Sequence, residues 1–162
     1  MDDIIDLATR AGRALQQKGL LLTTAESCTG GGVAHAITEI AGSSDWFDCG
    51  FITYSNASKI DLLDVPATLI AQHGTVSEEI AAAMAEGALA NSNAHITLST
   101  TGIAGPGGAV LGKPVGTVCF AWAMGHMTTH TERLVFAGDR QAVRAQTVVH
   151  ALQGLLRILN QA

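Results

Sequence analysis

Short apolar stretches alternate with helical patterns along the whole chain, and this alternation limits the fold more than any other feature. The apolar or β-branched stretches at residues 20–25, 49–54, 94–101, 115–124 and 128–135 are predicted strands, and the last two form a hairpin around Gly125. Helical spacing and capping residues predict helices at residues 2–17, 33–40, 56–63, 78–90 and 139–160, with one more from Pro66 to a stop at Gly74. The order α-β-α-β-α-α-α-β-β-β-α predicts an α/β fold, a three-layer α/β/α sandwich around a mixed, mostly parallel sheet.

The chain has the size and composition of one folded domain, residues 1–162. Hydrophobic residues make up 48% of it and charged residues 14%, which excludes intrinsic disorder. The longest runs without a charged residue, such as residues 114–131, contain glycine, threonine and histidine and are too polar to span a membrane. The acidic start Met1-Asp2-Asp3 lacks the basic region of a signal peptide, so we expect none.

Charge, cysteine and histidine patterns limit the ligands and partners. Nine Lys and Arg face fourteen Asp and Glu without a basic run, which argues against nucleic acid but leaves small nucleotides open. The three cysteines form no CxxC pair, so we expect neither a disulfide framework nor a thiolate metal site, and we expect the reducing cytoplasm as the compartment. The six histidines show no HxxxH or HExxH spacing, so we expect no metal and no cofactor.

Two glycine-rich segments, residues 24–32 and 101–108, each follow a predicted strand. In open α/β sheets, ligands bind beyond the carboxyl ends of strands, and glycine lets the backbone approach a ligand closely. Neither segment contains the P-loop or GxGxxG pattern. One such segment alone is more often a tight turn, but two of them at strand ends of one small domain favour a binding site.

Ser27 lies where the first predicted strand gives way to glycines and a helix. This position resembles a nucleophile elbow, in which a hydroxyl is held out beside helix N–H groups that stabilise an oxyanion. Alternatively, Ser27 is the N-cap of that helix, and the charge of Glu26 stabilises the helix start. Cys28 is either a small buried residue or a rival nucleophile, although no histidine stands in a recognisable catalytic context.

Two further stretches supply candidate catalytic and anion-binding groups. Tyr54 and Lys59 follow the second predicted strand, and a buried lysine can act as the base of a serine while a tyrosine hydroxyl relays a proton. The alternative is an exposed helix lysine and an edge-strand tyrosine. Arg140 and Arg144 share one face of the last helix and suit a phosphate or carboxylate, or else they are solvated while Asp139 caps the helix.

Six stretches occur in the order that is typical of one protein family. They are TTAESCTGG (23–31), IAGSSDWFDCGFITYSNASK (40–59), QHGTVSEE (72–79), TGIAGPGG (101–108), KPVGTV (113–118) and GDRQAVR (138–144). On these residues the chain resembles the CinA C-terminal domain-like family, in the form of its stand-alone nicotinamide-nucleotide amidases (PncC type). The chain starts directly with this domain, so we expect the stand-alone form.

The resemblance implies hydrolysis of nicotinamide mononucleotide to nicotinate mononucleotide and ammonia, with Ser27 as nucleophile, Lys59 as base and Tyr54 assisting. The substrate-binding residues that we expect are Thr29, Gly30 and Gly31 for the oxyanion, Gly102, Ile103, Ala104, Gly105, Arg140 and Arg144 for the phosphoribosyl part, and Ser44 and Thr101 as further polar positions of the family. Two alternatives stay open: a non-catalytic nucleotide-binding or regulatory module, and a Cys28-dependent hydrolase. Assembly into a homo-oligomer also stays open.

Overall fold

A five-stranded sheet between two layers of helices forms the part of the protein described by the structure, a computed structural model that covers residues 3–161 (side chains to residue 160). In chain order the elements are α1 (Ile4–Lys18), β1 (Leu22–Glu26), α2 (Gly32–Thr38), β2 (Phe47–Ile52), α3 (Asn56–Leu63), α4 (Ala67–His73), α5 (Glu78–Ala90), β3 (Ile96–Gly102), β4 (Thr117–Met124), β5 (His130–Val135) and α6 (Arg140–Gln161). The predicted order of helices and strands is confirmed. The start of the first predicted helix, Asp2, lies outside the described residues, and a 3-10 helix at Ser43–Asp45 was not predicted.

The sheet has the strand order β2-β1-β3-β4-β5. β1 pairs in parallel with β2 and β3, whereas β4 pairs antiparallel with both β3 and β5. Four of the five described strands therefore run in one direction, which confirms the mixed, mostly parallel sheet. Because Glu26 pairs with both Ile52 and Thr100, the carboxyl ends of β1, β2 and β3 lie side by side at one edge of the sheet.

Helices cover both faces of the sheet. α1, α2 and α6 pack together on one face, and α5 packs on the other face with α3 and α4 against it. Side chains of β4 alternate between the two layers: bulky Phe120 and Trp122 face α6, whereas small Cys119 and Ala121 face the alanine-rich α5 and let it come close. None of the helices within residues 3–161 combines the length and the apolar character needed to cross a membrane.

Two predicted capping residues are confirmed. The Ser77 hydroxyl accepts a hydrogen bond from the backbone N–H of Ile80 (3.2 Å) at the start of α5. The Asp139 carboxylate accepts one from the N–H of Ala142 (2.9 Å) at the start of α6. The second cap fixes the first turn of the helix that carries Arg140, which matters for the site described below.

A cluster of ionisable side chains joins β5 to α6. Glu132 of β5 accepts a hydrogen bond from Arg157 Nη2 (3.0 Å), and its carboxylate also contacts ring nitrogens of His130 (3.1 Å) and His150. Burial would raise the pKa of the Glu132 carboxyl, but the hydrogen bonds of His150 and His130 and the charge of Arg157 outweigh burial and hold this pKa below its ordinary value. Glu132 is thus a paired carboxylate on the outermost strand of the sheet.

Candidate active site

Ser27 leaves the sheet at the carboxyl end of β1, between the ends of two neighbouring strands. Its backbone N–H donates to the carbonyl of Thr100 in β3 (3.0 Å), and the N–H of Thr53, just after β2, donates to the carbonyl of Glu26 (2.9 Å). The hydrogen bonds of the sheet thus continue past both strand ends. They fix the backbone on either side of Ser27 and so fix the direction in which its side chain leaves the sheet.

Lys59 reaches Ser27 from the other side, out of α3. Ser55 is the N-cap of this helix. Lys59 lies in the first turns of the helix and is fully buried. The Lys59 Nζ donates to Ser27 Oγ (3.1 Å), to the carbonyl of Thr53 (2.7 Å) and to the carbonyl of Tyr54 (3.2 Å). The alternative of an exposed helix lysine is therefore wrong.

Burial lowers the pKa of Lys59 from the ordinary 10.5 to about 8, and the neighbouring Cys28 opposes this shift only in part. Among the described residues, no carboxylate lies within ion-pair distance of the Lys59 Nζ. The loss of hydration is therefore not compensated by an opposite charge. Lys59 exchanges its proton close to neutral pH, as a general base must.

The three oxygens around the Lys59 Nζ suit both protonation states of the amine. The carbonyl oxygens of Thr53 and Tyr54 can only accept hydrogen bonds, whereas the Ser27 hydroxyl can accept or donate one. A charged amine donates to all three. A neutral amine donates its two N–H groups to the carbonyls and turns its lone pair to the hydroxyl, so Lys59 can take the serine proton without moving.

The loop after Ser27 is stabilised by hydrogen bonds to the fully buried carboxylate of Glu26. Its Oε1 accepts hydrogen bonds from Thr29 Oγ1 (2.5 Å) and from the N–H of Val33 (2.9 Å), and its Oε2 accepts one from the N–H of Ala34 (3.1 Å). A carboxylate at the first N–H groups of a helix satisfies donors that have no partner within the helix. The interpretation that Glu26 stabilises the start of α2 is confirmed.

Ser27 is better placed than Cys28 to act as a nucleophile. The N-cap of α2 is Gly31, at φ 100° and without a side-chain hydrogen bond, so the alternative that Ser27 caps this helix is wrong. Burial raises the pKa of the Cys28 thiol to about 12, which keeps it protonated at neutral pH. The contact with Lys59 goes to the serine hydroxyl. These observations disfavour a Cys28-dependent hydrolase.

An open cavity of about 240 Å³ lies in front of Ser27. The predicted site residues in its wall are Ser27, Tyr54, Thr101, Gly102, Ile103, Ala104, Gly105 and Arg140, and the wall is completed by Cys28, Thr75, Gly107 and Gly108. Lys59 lies behind Ser27 and meets the cavity through the serine hydroxyl. The two glycine-rich segments thus converge on one cavity, as the binding-site interpretation requires.

Some predicted residues do not reach the cavity wall. The side chain of Thr29 donates to Glu26 Oε1 instead of reaching the wall, and Gly30 and Gly31 belong to the loop behind Ser27. The prediction of Ser44 as a substrate-binding residue needs correction, because Ser44 lies in the 3-10 helix before β2, at the opposite edge of the sheet. The site is built on the carboxyl ends of the strands, whereas Ser44 stands at an amino end.

Arg140 joins two loops of the cavity wall. Its Nη1 donates to the carbonyl of Gly105 (2.9 Å), after β3, and its Nη2 donates to the hydroxyl of Tyr54 (3.0 Å), after β2. Tyr54 is 61% exposed and lies beyond the end of β2, so it is not an edge-strand residue. Tyr54 contacts Lys59 through its backbone carbonyl, and its phenol contacts Arg140.

Arg144, one turn further along α6, has different partners. Its Nε donates to the carbonyl of Cys28 (3.1 Å) and its Nη2 to the carbonyl of Thr29 (3.2 Å). Arg144 is not part of the cavity wall. Although Arg140 and Arg144 have helical spacing, they do not form one shared anion site.

A second cavity, of about 630 Å³, adjoins the first. It shares Ala104 and Arg140 with the cavity at Ser27, and its other walls are Pro106, Val115, Gly138, Asp139 and Gln141. The two cavities therefore meet at Arg140, and together they have room for a ligand longer than a single ring.

Residues 4–159 match the CinA C-terminal domain family. The chain belongs to this family. A nicotinamide-nucleotide amidohydrolase PncC of Pseudomonas putida is 52% identical over 158 residues, which are 98% of this chain and 98% of that protein. The protein of the same name from Escherichia coli (strain K12) is 50% identical over 94% of this chain and 93% of its own length.

Solved structures confirm the fold of this CinA domain. A CinA superfamily protein of Klebsiella pneumoniae 700603 superposes with a TM-score of 0.95 at 40% identity, over 99% of this chain and 100% of that one. A competence/damage inducible protein of Agrobacterium tumefaciens superposes with a TM-score of 0.94 at 42% identity. The α/β fold expected from the sequence is thereby shown.

Two parts of the CinA site were missed in the sequence. Thr75 lines the cavity, its backbone carbonyl accepts from Thr101 Oγ1 (3.0 Å), and its own hydroxyl donates to Asn56 Oδ1 (2.7 Å). Its presence in the QHGTVSEE stretch was the available signal. The carbonyls of Thr53 and Tyr54 that hold Lys59 had no signal, because a backbone carbonyl is independent of residue type.

Proposed function

We propose that this chain is a nicotinamide-nucleotide amidohydrolase, which hydrolyses the carboxamide of nicotinamide mononucleotide to give nicotinate mononucleotide and ammonia. The observation that carries the proposal is the contact of 3.1 Å between the Lys59 Nζ and Ser27 Oγ, at the wall of an open cavity. Relatives at 50–52% identity over nearly their full length, which bear the name of this activity, support it.

In the first half of the reaction, Ser27 Oγ attacks the carboxamide carbon while neutral Lys59 takes the hydroxyl proton. The C=O double bond opens to a tetrahedral intermediate with an oxyanion. When this intermediate collapses, the C–N bond breaks and Lys59 returns the proton to the leaving nitrogen, which departs as ammonia. An ester between Ser27 and the nicotinoyl group remains.

In the second half, water hydrolyses this ester. Lys59, again neutral, takes a proton from the water, whose oxygen attacks the ester carbon. The C–O bond to Ser27 breaks, and Lys59 gives the proton back to Ser27 Oγ. One water is consumed and one ammonia is released in each cycle, and the amine ends in the state in which it began.

The oxyanion needs N–H donors close to Ser27. In the loop of residues 27–31, the N–H of Gly30 is already used, since it donates to the carbonyl of Ser27 (3.0 Å). We therefore assign the oxyanion to the N–H groups of Cys28, which lines the cavity, and of Thr29, which was among the expected residues, and not to the N–H of Gly30.

Arg140 is the proposed contact for the anionic part of the substrate. It is in the cavity wall, it is held by Gly105 and Tyr54, and it stands between the two cavities. The cavity at Ser27 is smaller than the roughly 300–1,000 Å³ common for ligand pockets, so it suits the pyridine ring with its carboxamide. The ribose and phosphate would then extend along Gly102–Gly105 past Arg140.

Ammonia release from nicotinamide mononucleotide tests the proposal, with nicotinate mononucleotide identified as the second product. We expect equal amounts of both from the wild type, and neither from Ser27→Ala. Binding of the nucleotide without release of ammonia would support the regulatory-module alternative instead. Ser27 and Lys59 supply the nucleophile and the base of this mechanism without a Lewis acid, so the rate should not change with EDTA.

The proposal places this reaction in the cytoplasm and gives the protein a nucleotide as its small-molecule partner. The free state of Cys28, Cys49 and Cys119 supports a reducing compartment. The excess of acidic over basic residues argues against nucleic acid as a partner, because attraction of a polyanion would need a basic surface.

A further inference from the structure

The backbone of the loop that carries the nucleophile is held from outside by one side chain. Two successive carbonyls, those of Cys28 and Thr29, accept hydrogen bonds from the Nε and Nη2 of Arg144. They belong to the first two residues after Ser27. The guanidinium group has a fixed fork of donors, and here two of its donors are directed at two adjacent peptide groups.

The direction of a carbonyl fixes the direction of the next N–H, because each peptide group is planar and its C=O and N–H point in opposite directions. The Cys28 carbonyl points to Arg144, so the N–H of Thr29 points away from it. The Thr29 carbonyl also points to Arg144, and the N–H of Gly30 accordingly points away and donates to the Ser27 carbonyl.

This loop needs such a restraint. Gly30 (φ 59°) and Gly31 (φ 100°) both lie in the left-handed region, where glycine has no steric penalty and many alternative conformations are accessible. A rotation of the peptide between Cys28 and Thr29 would turn its carbonyl towards the place of the N–H. An oxyanion would then meet a partial negative charge instead of a donor.

We propose that Arg144 is a positioning residue for the oxyanion: it holds the peptide group between Cys28 and Thr29 so that the N–H of Thr29 faces the reacting carbonyl. The proposal rests on the proposed amidohydrolase function and adds to it. Arg144 acts through the backbone and not by touching the substrate, since it is absent from the cavity wall and its Nε and Nη2 are both engaged. This positioning role replaces the expectation from the sequence that Arg144 binds phosphate.

The division between kcat and KM tests this role. Arg144→Met should lower kcat for nicotinamide mononucleotide by about ten- to a hundredfold and leave KM within about threefold, because a misplaced N–H weakens the transition state more than the bound substrate. Arg157→Met is the matched control on the same helix, since Arg157 contacts Glu132 and not the site, and it should retain wild-type kcat and KM. A raised KM with unchanged kcat in Arg144→Met would overturn the proposal, and so would wild-type kinetics.

Rescue separates positioning from a general loss of structure. Arg144→Lys offers a single ammonium where two carbonyls need donors, so we expect it to remain at least about fivefold below wild type. Millimolar guanidinium should restore part of the kcat of Arg144→Met, because the small cation can fill the space that the substitution opens, and should not affect Arg157→Met. Absence of rescue in a variant with wild-type circular dichroism and thermal unfolding would count against the proposal.

Labelling of Ser27 by a fluorophosphonate, followed by intact mass, gives a readout that does not depend on the nucleotide. Ser27 Oγ forms a bond to phosphorus while the P–F bond breaks and fluoride leaves, and the phosphoryl oxygen also needs the N–H donors. We expect Arg144→Met to be labelled at least about tenfold more slowly than wild type and than Arg157→Met. Equal labelling rates would overturn the positioning role even if nicotinamide mononucleotide is the substrate. If the wild type is labelled but releases no ammonia from the nucleotide, the proposed function fails, and the labelling rates still decide the role of Arg144.

Discussion

Lys59 is fully buried and Glu132 is partly buried, but the groups that surround these two side chains differ. Lys59 at the site is fully buried among three oxygens, no carboxylate in residues 3–160 is paired with it, and burial lowers its pKa to about 8. Glu132 on the outermost strand is surrounded by His130, His150 and Arg157, and its pKa lies below its ordinary value. The charge of the amine is disfavoured by its surroundings, whereas the charge of the carboxylate is favoured.

This difference in surroundings suits Lys59 to proton transfer and Glu132 to stabilising the fold. A paired charge keeps its protonation state over a wide pH range and contributes to the free energy of unfolding. An unpaired buried amine costs stability, but it can release and regain a proton near neutral pH. The direction of the pKa shift therefore matters, and at Lys59 it favours the neutral amine that a general base needs.

Removal of the nucleophile should give the largest effect. Ser27→Ala should lower kcat for nicotinamide mononucleotide by at least about a thousandfold, because Lys59 then has no hydroxyl to activate. Cys28→Ala at the next position should keep at least about a tenth of the wild-type activity, since the thiol is protonated. Ammonia release from the purified variants measures both. Activity that survives in Ser27→Ala and disappears in Cys28→Ala would reverse the assignment.

Substitution of the base, Lys59, should have the second-largest effect on activity. Lys59→Arg keeps the charge but does not deprotonate, so kcat should fall at least about a hundredfold while the nucleotide still binds. In the wild type, kcat/KM should rise with pH up to about 8 and then level off, because the base works in its neutral form. Kinetics from pH 6 to 9.5 check this. A profile without a rise would show that Lys59 is not the base, as would an active Lys59→Arg.

The stability of Lys59→Met sharpens the comparison, because the same change that abolishes activity should stabilise the fold. The lowered pKa corresponds to a cost of roughly 3 kcal/mol at pH 7, from which the lost hydrogen bonds subtract. The folded pKa lies below the unfolded one, so this cost is complete below about pH 8 and disappears as the pH rises to 10.5. Urea unfolding at pH 7 and pH 10 should show the advantage of Lys59→Met shrinking, and an advantage independent of pH would contradict the shift.

A smaller effect is expected at Arg140. Arg140→Ala should raise KM for nicotinamide mononucleotide about ten- to a hundredfold, since a charge-assisted contact is worth about 1.5–3 kcal/mol. Nicotinamide riboside, which lacks the phosphate, should be a poor substrate and should be insensitive to the substitution. Equal hydrolysis of riboside and mononucleotide, or an unchanged KM in the variant, would show that the phosphate does not meet Arg140.

Glu132→Gln should have the smallest effect on activity, with kcat and KM within about twofold of wild type. The substitution should instead lower the free energy of unfolding by about 1 kcal/mol near neutral pH, because it weakens a half-buried ion-pair cluster. Because the folded pKa of Glu132 is depressed, this contribution is present above the ordinary 4.5 and is lost as the pH falls through the folded value. Thermal unfolding at pH 7 and pH 3.5 measures it. A loss of activity in Glu132→Gln would erase the contrast with Lys59.

Local patterns predict most of the fold. Ser77 and Asp139 mark helix starts, glycines mark ends, and the five apolar stretches become the five described strands. The strand order was not predicted, because it depends on the pairing of Glu26 with Ile52 and Thr100, residues far apart in the chain. No short segment contains information about such a pairing.

The sequence predicted most residues of the candidate site, but it did not predict the contacts between them. Lysine is seldom fully buried, so the sequence alone favoured an exposed Lys59, and only the neighbouring positions of β1 and β2 bring it to Ser27. Arg140 and Arg144 look equivalent on a helix. Their partners differ because different strands supply the loops that they meet.

The low pKa of Lys59 also makes this amine a target for chemical modification. At pH 7 an amine with a pKa of about 8 is uncharged in about a tenth of the molecules, against about three in ten thousand for an amine at the ordinary 10.5. Uncharged amines capture electrophiles such as sulfonyl fluorides, which should therefore react with Lys59 at neutral pH. Since the amine lies behind Ser27, a reagent must occupy the cavity to reach it. A pyridine-based electrophile could thus distinguish this protein from the many hydrolases whose serine is paired with histidine.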